Sequence, residues 1–261
     1  MREKYQLGFV GAGNMAQAIA KGILNSKILS ADEILMSNRT VGNFEGIEIT
    51  TDNRNIFDRC NYIILAVKPQ VFDEIYSGFS HINAKAIISI MAGKSVQTLG
   101  EKLDTNARIV RVMPNAPCMV CQGMSVIASN NYDSEINDFV AKIFKSTGEI
   151  MFLDEKLFDS MTSISGSGPA YVYYFIKSMI DAGVQGGLSF DESKALTMQT
   201  FKGAIAMVEN AKDSLDVLID KVCSKGGTTI QAINSFNQDG VDMAIAKGID
   251  KCKKRSEELS K

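Results

Sequence analysis

The chain has 261 residues, 45% of them hydrophobic and 22% charged, with a formal charge of −2, which allows one large domain or two ordinary ones of a soluble globular protein. No basic excess is available to neutralise phosphates, so a nucleic-acid partner is not expected, and no run reaches the roughly 18 apolar residues that span a bilayer. The N-terminus, MREKYQLGFVGAG, has no long apolar stretch behind its charges, so a secretory signal is not expected and a cytoplasmic location is.

The first predicted strand, Gln6–Val10, runs into Gly11-Ala12-Gly13-Asn14-Met15-Ala16, which opens a helix over Asn14–Leu24. G-x-G-x-x-A between a strand and a helix is the dinucleotide pattern: Gly11 permits a tight turn, Gly13 lets the backbone approach a pyrophosphate, and Ala16 allows close helix–sheet packing. The phosphates are expected at the positive end of the helix, by Asn14 and Met15; the bland alternative is a glycine turn with no ligand. Met15, Ile19 and Ile23 mark the buried face of this helix.

A second strand, Ile34–Ser37, leads into Asn38-Arg39-Thr40 with no Asp or Glu. A carboxylate here would bond a ribose 2′-hydroxyl, whereas an arginine accommodates a 2′-phosphate. Asn38 and Arg39 therefore favour NADPH, with NADH possible and Ser37 and Thr40 as additional donors. Arg39 also reads as a solvated loop residue.

Further on, strands at Tyr62–Val67, Ala86–Ile90 and Arg108–Met113 alternate with helices at Asn53–Arg59, Pro69–Phe79 and Ser95–Leu103. Strands at Met124–Ala128 and Glu149–Leu153, flanking a helix near Glu135–Lys145, complete the sheet. Continuous apolar runs such as IILAV suit a parallel sheet covered on both faces, and the alternation predicts a doubly wound α/β domain. Ligands bind outside the carboxyl ends of such strands, so Ala66, Val67, Lys68 and Pro69 after one strand, and Pro114 and Asn115 after another, are expected to line the nicotinamide. Each segment also reads as a rigid turn.

After residue 154 no strand is predicted. Helices are expected at Lys156–Thr162, Pro169–Ala182, Asp191–Asn210, Leu215–Cys223, Thr228–Asn237 and Val241–Leu259. The organisation is thus an NADP-binding domain over 1–154 and an all-helical domain over 155–261. Two glycine-rich helix starts, Ser163-Ile164-Ser165-Gly166-Ser167-Gly168-Pro169 and Ser224-Lys225-Gly226-Gly227-Thr228-Thr229, offer hydroxyls and free N–H groups to an anion, or are merely capped helices.

The five cysteines do not form a disulfide framework, and Cys118-x-x-Cys121 lacks a second pair to close a zinc site, leaving incidental thiols or a redox-sensitive pair. No metal is expected. His81, the only histidine, lies in the polar stretch GFSHINAK, which points to a surface loop rather than to a hydrolase triad.

GFVGAGNMAQAI, AVKPQ, RVMPNAP, SISGSGPAYVYYFIKSMIDAGVQGGLS and SKGGTTIQAI occur in this order between about Gly8 and about Leu259. The combination resembles the pyrroline-5-carboxylate reductase family. The resemblance implies an N-terminal Rossmann-type doubly wound sheet followed by an all-helical dimerisation domain, and reduction of 1-pyrroline-5-carboxylate to L-proline by NAD(P)H. It implies a homodimer of interleaved helices, sometimes built into a ring of dimers. It further implies that Ser224, Gly226, Gly227, Thr228 and Thr229 hold the substrate, with Thr229 nearest the ring nitrogen and serving as the catalytic residue. The family usually has proline where this chain has Lys225. Two rivals share such an architecture: a hydroxyacid dehydrogenase, which would need a catalytic lysine such as Lys177 or Lys225, and a non-catalytic NADP-binding regulator.

Overall fold

The computed structural model describes residues 5–76, 82, 84–103, 105–128 and 134–259; His81 lies outside them, as does the end of the helix predicted over Pro69–Phe79. The chain divides into two compact units, 1–167 with 252–261, and 168–251.

The first unit is built on β1 (Tyr5–Val10), β2 (Ile34–Ser37), β3 (Gly42–Phe44), β4 (Ile47–Thr50), β5 (Cys60–Leu65), β6 (Ala86–Ser89), β7 (Arg108–Met113), β8 (Gly123–Ala128) and β9 (Gly148–Leu153). They form one sheet in the order β3-β4-β2-β1-β5-β6-β7-β8-β9. From β4 to β7 all pairs are parallel, β3 and β8 run antiparallel to their neighbours β4 and β7, and β9 is parallel to β8.

Helices cover both faces of the sheet: α1 (Asn14–Asn25), α2 (Arg54–Arg59), α3 (Phe72–Tyr76), α4 (Val96–Lys102) and α5 (Ser134–Lys145). Alternate strand residues feed two separate cores, as the period-2 geometry of a strand requires. Leu7, Phe9, Ile34, Met36, Ile64 and Ile88 pack with Ile19 and Ile23 of α1 and Val140 and Phe144 of α5. Val10, Leu35, Ile63 and Ile87 pack with Ile56 of α2, Phe72 of α3 and Leu99 of α4. The doubly wound sheet expected from the strand–helix alternation is therefore present.

Two features depart from the expected elements. The β3–β4 hairpin was not predicted; its two-residue loop has Glu45 at φ 52° and Gly46 at φ 88°, the type I′ combination. That turn is usually announced by Asn-Gly or Asp-Gly, and glutamate hides it. The second departure follows β9. A short 3-10 turn at Glu155–Leu157 leads into α6 (Phe158–Met161), then a π-helical turn over Thr162–Gly166, and only then α7 (Gly168–Gln185). Phe158 and Met161 are buried with Val126 and Ala128 of β8, and the first compact unit runs to Ser167.

The second unit contains α7, α8 (Phe190–Asn210), α9 (Leu215–Val222), α10 (Thr228–Gln238) and the greater part of α11 (Val241–Leu259). Helices α7 and α8 approach closely at Gly183, where a Cβ would lie 2.2 Å from Ser193 Oγ; that hydroxyl donates to the Ile180 carbonyl at 2.8 Å. Little else is enclosed: α9, α10 and α11 bury no residue, while Tyr174 and Met243 are 71% and 70% exposed. An apolar cleft of about 490 Å³ between α7 and α11 is lined by Tyr171, Tyr174, Phe175, Val241, Ile245 and Ile249. Apolar surface on this scale marks an interaction face rather than a finished surface.

Candidate functional site

The fingerprint loop joins β1 to α1 with the geometry its glycines suggest. Gly11 has φ +101°, and a Cβ there would lie 2.8 Å from the Ala66 carbonyl oxygen and 2.9 Å from Val67 Cγ1. Only glycine combines that conformation with that proximity. Around Gly13 a Cβ would meet no atom within 4 Å, so its backbone is open to a ligand. Gly13 is the N-cap of α1, no side chain caps the helix, and the first turn carries no acidic residue. The N–H groups at Asn14 and Met15 are thus left for an anion. Ala16 is 1% exposed, packed as the motif requires.

Beside this loop, Gly11, Ser37, Asn38, Arg39, Thr51, Asn53, Val67, Val71, Glu74 and Ile75 line a cleft of about 220 Å³. Arg39 is exposed and makes no ion pair among the described residues. Asn38 is anchored: its N–H donates to the Thr50 carbonyl at 2.9 Å and its Oδ1 accepts from the Arg39 N–H at 2.9 Å. Ser37 is not the free donor expected. It is 1% exposed, and its hydroxyl donates to the Phe9 carbonyl at 3.3 Å. Thr51, Asn53 and Glu74 are the walls that the sequence reading missed; the first two follow the unpredicted strand β4, and Glu74 sits on α3 beyond Pro69. The open glycine backbone, the uncapped helix start and the arginine-bearing cleft fit a dinucleotide carrying a 2′-phosphate.

At the end of β5, Lys68 is an extended N-cap residue and Pro69 begins a 3-10 turn, with Ala66 and Val67 already abutting Gly11. After β7, Pro114 is buried, and Asn115 has its side-chain amide spent inside the protein. Its Nδ2 donates to the Ser165 carbonyl at 3.2 Å and to Ser165 Oγ at 3.3 Å, and its Oδ1 accepts from the Met124 N–H at 2.9 Å. Asn115 thereby latches the loop after β7 onto β8 and the π-helical turn.

The two glycine-rich segments separate in character. The one over Ser163–Pro169 is not an open helix mouth. The Ser163 hydroxyl donates to the Ser160 carbonyl at 2.7 Å, Ser165 holds Asn115, and Ser167 Oγ accepts from Cys252 Sγ at 3.3 Å. A π-helical turn with the Ser167 N–H bonded to the Thr162 carbonyl at 2.9 Å leads straight into α7.

The segment over Ser224–Thr229 is an open mouth. The Gly227 N–H donates to the Ser224 carbonyl at 2.9 Å and Gly226 has φ +75°. A bonded four-residue turn with a left-handed third residue is type II. Gly227 caps α10 without a side-chain bond, and a Cβ there would lie 2.3 Å from Ser224 Oγ. No acidic residue occupies the first turn of α10. The N–H groups at Thr228 and Thr229, and their hydroxyls, therefore offer one compact anion-accepting corner.

The remaining candidates carry no comparable geometry. Lys177 is held protonated by its hydrogen bond to Asp181, which raises its pKa; a proton-transfer lysine needs the opposite shift. Cys118 is buried and Cys121 is exposed with φ 56°, both as free thiols. Among the described residues no helix is long and apolar enough to cross a membrane.

Comparison with known proteins supplies the family. Residues 155–259 match the pyrroline-5-carboxylate reductase dimerisation model, and residues 6–93 match the model described as NADP oxidoreductase, coenzyme F420-dependent. The chain is 36% identical to a pyrroline-5-carboxylate reductase of Glycine max over 99% of this chain and 97% of that one. It is 34% identical to one of Pisum sativum over 100% of this chain and 98% of that one. The crystal structure of Plasmodium falciparum pyrroline carboxylate reductase with NADP bound superimposes with a TM-score of 0.90 at 34% identity, covering 99% of both chains. With the dimerisation model matched over 155–259, full-length similarity at 34–36% identity and a shared fold, the chain belongs to the pyrroline-5-carboxylate reductase family.

Proposed function

We propose that this chain reduces 1-pyrroline-5-carboxylate to L-proline, the last step of proline biosynthesis, with NADPH as the preferred and NADH as the alternative hydride donor. The observation that carries the reading is the full-length relationship to reductases of that name, one of them holding NADP, on a chain whose second strand ends at Asn38 and Arg39 with no carboxylate in that segment.

The reduced nicotinamide, when bound, supplies the hydride to the carbon of the C=N bond. The chain's own work is placement. Gly11, Gly13, Asn14 and Met15 receive the pyrophosphate at the start of α1, and Asn38 and Arg39 take the 2′-phosphate. Ala66, Val67, Lys68, Pro69 and Pro114 form the nicotinamide wall, with Asn115 fixing that wall from behind. Backbone N–H groups at Gly226, Thr228 and Thr229, with the Ser224 hydroxyl, hold the substrate carboxylate in the turn that Gly227 closes, and the Thr229 hydroxyl orients the ring nitrogen. The substrate reacts as a protonated iminium, so Thr229 positions rather than donates the proton.

The exposed apolar faces of α7 and α11 support a homodimer, with a ring of dimers as the larger assembly to test by light scattering, and the same reading places the enzyme in the cytoplasm.

The deciding assay follows NADPH oxidation at 340 nm with pyrroline-5-carboxylate, set against reduction of NADP by a hydroxyacid; activity only with the hydroxyacid would overturn the reading. Thr229→Ala should lower kcat by about 100-fold, the scale of a lost positioning contact, and leave NADPH affinity within about twofold. Unchanged kinetics would remove Thr229 from the site.

A further inference from the structure

The last two turns of α11 do work that substrate and cofactor chemistry alone does not demand. Residues 252–261 group with the first compact unit, although the rest of α11 groups with the second. Three contacts tie these turns down. Cys252 Sγ donates to Ser167 Oγ at 3.3 Å, and Ser256 Oγ donates to Asp159 Oδ1 at 2.6 Å. The third is at Gly93, which is buried at φ +70°, where a Cβ would lie 2.8 Å from the Leu259 carbonyl oxygen and 3.3 Å from Leu259 Cβ. The end of the helix presses directly on this glycine.

Gly93 belongs to the β6–α4 loop, which leaves the carboxyl end of a parallel strand flanked by β5 and β7. That is the edge of the sheet where doubly wound folds hold their ligands. The far end of the same loop is anchored independently. The Val96 N–H donates to Glu155 Oε1 at 2.9 Å, and the same oxygen accepts from Arg111 Nη1 at 3.1 Å. The Arg111 guanidinium in turn lies 4.7 Å from the ring centre of Phe158, the residue before Asp159. The loop is therefore clamped on one side through Glu155 and Arg111, and on the other by α11 ending on Gly93.

We infer that the C-terminal turns of α11, through Ser256 and Leu259, are a positioning element that sets the β6–α4 loop against the reactive half of the cofactor. The inference rests on the reading that NADPH binds across the carboxyl edge of this sheet. Ser256 and Leu259 act through Asp159 and Gly93, the groups they contact.

The test compares the full chain with a chain ending at Glu257 and with full-length Ser256→Ala and Ser256→Thr. Three quantities are read: kcat with saturating NADPH and pyrroline-5-carboxylate, affinity for 2′,5′-ADP, and amide hydrogen exchange over residues 90–96. The adenosine probe reports the Arg39 cleft without the nicotinamide. Truncation should lower kcat on the order of tenfold and raise exchange in the loop by about tenfold, with 2′,5′-ADP affinity within about twofold. Ser256→Ala should move in the same direction, and Ser256→Thr, which keeps the hydroxyl, should restore the full-chain values. Wild-type kcat and exchange in both the truncated chain and Ser256→Ala would overturn the proposal. A parallel loss of 2′,5′-ADP affinity would overturn it too, since that reports general loosening of the first unit. Absence of pyrroline-5-carboxylate reduction by the full chain would instead refute the assigned reaction, and loop exchange would still decide whether the helix end braces the loop.

Discussion

Arg39→Ala isolates the group on which the cofactor preference depends. Arg39 lies at the mouth of a cleft whose other polar walls are Asn38, Thr51, Asn53 and Glu74, and no other described Lys or Arg lines it. A hydrogen bond to a charged partner contributes about 1.5–3 kcal/mol. Arg39 is exposed, so solvent screening places its contribution at the low end, and Glu74 on the same cleft works against a phosphate. A loss of about 1.5 kcal/mol corresponds to about a tenfold weaker Kd for NADPH. NADH has no 2′-phosphate and should change by less than about twofold. Fluorescence titration of both reduced cofactors measures the two constants on the same protein. The gap should also shrink with salt, because the Debye length falls from about 30 Å at 0.01 M to about 8 Å at 0.15 M. Equal weakening of both cofactors, or a gap insensitive to salt, would refute the argument and leave Arg39 as a solvated loop residue.

Lys225→Pro should stabilise the chain by about 0.4–1 kcal/mol, because position two of a type II turn already suits proline and the unfolded chain loses freedom. Denaturant midpoints check this, and a lower midpoint would mean that Lys225 needs its N–H or another φ. A raised KM for pyrroline-5-carboxylate in the same variant would show that the ammonium had been assisting carboxylate binding. Gly227→Ala puts a Cβ 2.3 Å from Ser224 Oγ; the substrate KM should rise about tenfold with NADPH affinity unchanged, and a substrate KM at the wild-type value would show that the corner tolerates the methyl group. Glu155→Ala strands the Arg111 side chain, 7% exposed, and should cost about 3 kcal/mol, the low end for a broken buried pair because Glu155 itself keeps 25% exposure. The double variant Arg111→Met with Glu155→Leu, which removes both charges, should cost about 1 kcal/mol or less by chemical denaturation. Equal losses in the two variants would show that the pair is not acting as a buried ion pair.

The two levels of description divided along the range of the interactions involved. Strand β1, the loop through Gly11 and Gly13, and helix α1 were legible because their signals lie within a dozen residues of one another. The same holds for the type II turn that opens α10, whose bond joins Ser224 to Gly227. Hidden features each depended on something remote or unusual. The β3–β4 hairpin used glutamate where its turn usually has asparagine, and with it went the Thr51 and Asn53 walls of the cofactor cleft. The serines of Ser163–Ser167 resembled an anion mouth until their hydroxyls were found bonded elsewhere.

From the residues alone came the doubly wound class, the dinucleotide loop, and the absence of a carboxylate after β2, since spacing and residue type carry all three. Tertiary structure alone decided which polar groups remain free for a ligand. Ser37 is spent on Phe9, 28 residues away, Asn115 on Ser165, 50 away, and Ser167 on Cys252, 85 away. A hydrogen-bonding group has the same identity in the chain whether or not it is satisfied; only the folded arrangement brings its partner within reach and removes it from the pool that can bind a substrate.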